Sequence, residues 1–141
     1  MNVDRAILVG FLGNYLIITV VASFVAIIPA STGGGMLTPQ YISFVVLAAL
    51  LVGLLTWWYG ARDLKNGAYF GAIGFAVTIV TAFITGVASV FAQTGSFSAI
   101  AGVLPNFLPF LMKWSTLVSA AYWILPAAAL GWYMQKKSSS V

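Results

Sequence analysis

The chain has 141 residues, 62% of them hydrophobic and only 6% charged, with a mean hydropathy of +1.05 and a net charge of +4. Soluble domains carry about 25% charged residues, so a water-facing fold is excluded. With neither Cys nor His, disulfides, thiolate nucleophiles and the commonest metal, haem and acid–base side chains are excluded as well. All six cations and both carboxylates stand at the ends of apolar stretches. A bilayer imposes that layout, because an ion at its centre costs roughly 2.5–3.5 kcal/mol. The same layout argues against a nucleic-acid surface.

The expected architecture is an all-α integral membrane four-helix bundle, built as two tandem helical hairpins in a single transmembrane domain over 1–141. A short interfacial or re-entrant segment is expected before the last helix.

The first span is predicted over about 6–28, stopping at Pro29. It is long for a signal-peptide core, Met1 to Arg5 is not net basic, and Pro29-Ala30-Ser31 is a poor cleavage site, so the span is expected to stay. Asn14 falls about 12 Å along this helix, close to mid-bilayer. A carboxamide there needs a partner on another helix, such as the threonines described below, or else contacts a solute or ion. Ser31 to Gly35 reads as a flexible turn without charge. Thr38-Pro39 then reads as an N-cap and first helical residue, opening the second span over about 39–59. Its Ala49, Gly53, Thr56 and Gly60 form a short seam of small residues.

Gly60 to Asn66 is a tight connection, with Asn66 a candidate N-cap for the third span over about 67–92. That helix carries the sharpest pattern in the sequence. Gly67, Gly71, Gly74, Thr78, Thr81, Thr85, Ala88 and Ala92 recur at alternating spacings of four and three. The resulting period of about 3.5 residues marks a helix crossing near +20°, where small residues let two backbones approach. Three uses are open: contact with neighbours in the same bundle, an interface with another copy of this chain, or a polar path along Thr78, Thr81 and Thr85.

The stretch 96–112 is apolar but interrupted by Pro105 and Pro109, and too short to span twice together with the last helix. It reads as an interfacial helix, a re-entrant dip, or a loop over the mouth of the bundle. The fourth span is predicted over about 114–134, followed by Lys136, Lys137 and a Ser-rich disordered tail. Tyr122, Trp123 and Pro126 lie near its middle. Trp normally sits at the interface, so Trp123 reads as a packing knob beside a proline bend, or as the contact for a hydrophobic ligand. Pro126 frees the carbonyl one turn back, near Tyr122.

Arg5, Arg62, Lys65, Lys136 and Lys137 fall on one side of this layout and Lys113 alone on the other. The asymmetry predicts a multi-pass protein of the cell membrane with both termini in the cytoplasm. Trp57, Trp58, Tyr59, Tyr69, Trp132 and Tyr133 gather at the same boundary, as membrane-interface aromatics do. Pairs such as Gly10-Phe11 with Gly74-Phe75, and Trp58-Tyr59 with Trp132-Tyr133, hint at a duplicated hairpin, although boundary chemistry explains the aromatic pairs equally well.

The only carboxylates, Asp4 and Asp63, mark helix ends, so an intramembrane enzyme lacks its acids and bases. No cofactor is expected. The leading expectation is a non-catalytic accessory, scaffold or assembly subunit whose partners are the lipid bilayer and other membrane subunits or copies of itself. The alternative is a small oligomeric transporter or channel with a polar path near Asn14 and the threonine stripe. In size and four-span layout the chain resembles the small multidrug transporters. That family requires a membrane-embedded carboxylate in its first helix, where this chain has neutral Asn14, so the likeness is of layout alone.

Overall fold

A computed structural model describes residues 2–26 and 38–139 of the chain. Among these there are five helices and no strands, and four of the helices are long and apolar enough to cross a membrane. The chain is an all-α, multi-pass membrane bundle. The predicted turn at Ser31 to Gly35, the stop at Pro29, and Ser140 and Val141 lie outside the described residues.

α1 runs Val3–Ala26 and begins three residues earlier than expected, because Asn2 caps it by accepting from the Arg5 amide. A π-helical turn over Ile17–Val21 interrupts its hydrogen-bond ladder just beyond Asn14. α2 runs Pro39–Tyr59 with Thr38 as N-cap, as the Thr-Pro pair predicts. It ends on Gly60, whose φ of 94° is a left-handed cap that an L side chain resists.

α3, Leu64–Thr94, is three residues longer at its start than the sequence suggests. Asp63, not Asn66, is the N-cap. Its two carboxylate oxygens accept from the Asn66 amide and from the Asn66 side chain, at 2.7 and 2.8 Å. Aspartate is as good a cap as asparagine, and Leu64-Lys65 contains nothing that breaks a helix, so the earlier start wins. At 31 residues, α3 is about 46 Å long, against a hydrocarbon thickness of about 30 Å. Gly95, at φ 62°, closes it.

The proline-broken stretch folds as a 3-10 turn over Ser98–Gly102 followed by α4, Val103–Leu111. Pro105 sits in the first turn, where its missing N–H costs little. The segment returns along the far half of α3: Phe97 packs on Phe91, and Phe107 meets Phe83 edge-on at 5.0 Å between ring centroids. α5, Trp114–Ser139, continues through Lys136 and Lys137. The expected disordered tail is therefore helical as far as Ser139, with the Ser138 and Ser139 hydroxyls donating to carbonyls one turn back.

Around the bundle the order is α1, α3, α5, α2, with α3 against α5 the most extensive contact. The core is a short aromatic and aliphatic column. Tyr59 stacks on Phe70 at 4.9 Å, Phe70 meets Trp123 edge-on, and Ala6, Val9, Ala48, Val52, Leu55 and Ala127 close around them.

Candidate functional site

The centre of the bundle is built around one indole. Trp123 is 0% exposed, although it lies on α5 and the bundle is only four helices wide. Room for it comes from glycines on two other helices. A Cβ at Gly13 of α1 would sit 2.8 Å from the indole rim, and one at Gly74 of α3 would collide with the ring. The indole therefore lies between α1 and α3, and Leu55 of α2 meets Gly13 beside it.

Below Trp123, the near half of the stripe on α3 lies directly on α5. A Cβ at Gly71 would approach the Trp123 carbonyl to 2.6 Å and the Ile124 Cα to 2.7 Å. Gly67 faces the Ala127 carbonyl and Gly131, while Gly131 in turn faces the Asp63 carbonyl. Here two backbones touch without intervening side chains, the contact that replaces hydrophobic drive inside lipid. Gln135 on α5 also accepts from the Leu64 amide, tying the start of α3 to the end of α5.

One turn above Gly74 the contact opens. Thr78 is half-buried and donates to the Gly74 carbonyl of its own helix. It lines a cleft of about 210 Å³ between α3 and α5, together with Ile79, Ala82, Ser115, Thr116 and Ser119. The Thr81 hydroxyl is enclosed but has no hydrogen-bond partner among the described residues, and the Trp123 indole N–H is in the same state. Farther out, Thr85, Ala88 and Ala92 are exposed on the helix surface.

Asn14 is 6% exposed. Its neighbour Gly13 touches the indole, and Gly10, one turn below, lies against Gly74 and Val77. α1 and α3 thus place Asn14 roughly one turn, about 5 Å, beyond the Gly74–Val77 level, where Thr78 and Thr81 follow. No side-chain hydrogen bond joins Asn14 to another described residue. Tyr122 is buried and meets Phe44 edge-on at 6.1 Å. Pro126 lies within α5 one turn beyond Tyr122, leaving the Tyr122 carbonyl without its helical donor.

The structure thus sets Gly74 against the Trp123 indole with Asn14, Thr78 and Thr81 over the next two turns, stacks Gly67 and Gly71 beneath, and leaves Thr85 outside. The short seam on α2 forms only in part: Thr56 is buried and Ala49 packs against the core, but a Cβ at Gly53 or Gly60 would meet nothing within 4 Å, and Ala48, Val52 and Leu55 complete the buried face. Sequence reasoning passed over Gly13 and Gly131, whose only signal was their small size. No protein-family model matches the chain, and neither a curated protein nor a solved structure matches it.

Proposed function

We propose that this protein is a non-catalytic membrane subunit that works by helix packing, as an accessory, scaffold or assembly component of a larger complex. The observation that carries the reading is the divided stripe on α3. Its glycine half is consumed by α5, whereas Thr85, Ala88 and Ala92 continue the same period on an exposed face. In lipid, an apolar surface alone gives no drive to associate. A small-residue face that admits a second backbone does. Such a face suits a transmembrane helix of another subunit or of a second copy.

The reading also includes the orientation: both termini cytoplasmic, from five basic residues at one end against Lys113 at the other. Reporter fusions at each terminus check this. For the packing role, a photo-crosslinker at Ala88 in native membranes is expected to give one discrete adduct. A crosslinker at lipid-facing Leu50 gives none. A protein that stays monomeric in mild detergent and forms no Ala88 adduct ends the proposal.

A second reading, a small oligomeric transporter or channel, draws support from the buried Asn14 and from the enclosed Thr81 hydroxyl and Trp123 indole N–H, which lack partners among the described residues. Against it stands the indole itself, which fills the space a path would need. Liposome flux abolished by Asn14→Ala or Thr81→Val would favour this reading, and flux indifferent to both would remove it.

A further inference from the structure

At the Arg5 end of the bundle the first turn of α1, the end of α2 and the start of α3 enclose a cleft of about 220 Å³, lined by Asn2, Arg5, Tyr59, Gly60, Ala61 and Asn66. This end carries five of the six cations and both carboxylates of the chain. Neither carboxylate lines the cleft, and Asp63 spends both its oxygens on Asn66. The guanidinium of Arg5 is held in place: one N–H donates to the Trp58 carbonyl, and the group lies 5.8 Å from the Tyr59 ring centroid. Tyr59 is itself fixed by its hydroxyl, which donates to the Asn2 carbonyl at 3.1 Å. A guanidinium has five donors in a rigid fork, so most remain for an acceptor entering the cleft. Nearby, the Lys65 and Lys136 ammonium groups rest over the Tyr69 and Trp132 rings. This is how long cations sit at a lipid–water boundary, stem in the apolar layer and head in water.

We infer that this cleft binds the phosphate of an anionic lipid headgroup. A phosphate oxygen pair matches the arginine fork, the Asn2 carboxamide N–H supplies a neutral donor beside it, and the acyl chains extend along the lipid-exposed faces of α1 and α2. The chemistry recognised is a phosphate group. The cleft's place at the membrane boundary makes lipid rather than free phosphate its source. The inference stands apart from the packing role, since it needs only that the protein lies in a bilayer.

The test presents the full-length protein in mild detergent with equal phosphatidylglycerol and phosphatidylcholine, and counts retained lipids by native mass spectrometry. The wild type is expected to retain phosphatidylglycerol with about tenfold preference. Arg5→Gln should abolish that preference, Arg5→Lys, which keeps charge but loses the fork, should weaken it, and Arg62→Gln, a cation outside the cleft, should leave it intact. Equal retention of the two lipids by the wild type overturns the inference whatever the variants do. So does an Arg62→Gln loss as large as that of Arg5→Gln, which means diffuse charge. Displacement of the lipid by millimolar inorganic phosphate overturns the lipid as the source.

Discussion

Along α3 the same spacing of small residues meets two surroundings. At Gly67 and Gly71 the helix lies backbone to backbone on α5, and at Gly74 it lies on the Trp123 indole, so close that no Cβ fits. From Thr85 to Ala92 the same period faces outward, with α4 packed instead on the neighbouring Phe83 and Gly86 face. Spacing alone does not decide whether a seam closes. What decides it is what stands opposite at matching height: Ala127 and Gly131 of α5 meet the near half, a cleft lined by Ser115, Thr116 and Ser119 opens at Thr78, and α5 begins only at Trp114.

The comparison breaks most readily at its centre. Trp123→Ala empties the pocket between Gly13 and Gly74 and is expected to destabilise the bundle by about 3 kcal/mol or more, read as a loss of folded protein in detergent melting. A fall below about 1 kcal/mol would mean that the helices simply close over the gap. Gly71→Leu drives a side chain into the α5 backbone and is expected to cost about 3 kcal/mol, whereas Ala88→Leu on the open half should shift stability by no more than about 0.5 kcal/mol. Equal costs at the two positions would show that the outer half is as tightly engaged as the inner. Asp63→Ala removes the cap of α3 and should cost about 1 kcal/mol, visible as a lowered melting midpoint. The smallest expected effect is at Asn14. A carboxamide without a partner is replaced by Leu at little cost, within about 0.5 kcal/mol and on the stabilising side if anything. A destabilisation well above 1 kcal/mol would reveal an occupant hydrogen-bonded to Asn14.

Much of this was legible along the chain. Thr38-Pro39 marked the start of α2 because a hydroxyl cap and a fixed φ act locally. The four spans followed from apolar length. Local rules were less decisive where two residues could serve equally, as with Asp63 and Asn66 at the start of α3, and they gave no warning that α5 continues through Ser139. The small-residue stripe on α3 was visible, but which half would be covered was not. Gly53 belonged to a similar pattern, yet a Cβ there would meet nothing within 4 Å.

Hydropathy and the placement of eight charges determined, without any structure, that the chain is a helical membrane bundle. Lipid penalises buried ions and unpaired backbone groups at every position independently, so that information is written residue by residue. The tertiary structure alone decided that Gly67 would meet Gly131, that Gly13 and Gly74 would make space for Trp123, and that Asn2, Arg5, Tyr59 and Asn66 would share one cleft. Such contacts join segments far apart in sequence. They depend on the relative height and rotation of whole helices, which packing fixes collectively and no local pattern encodes.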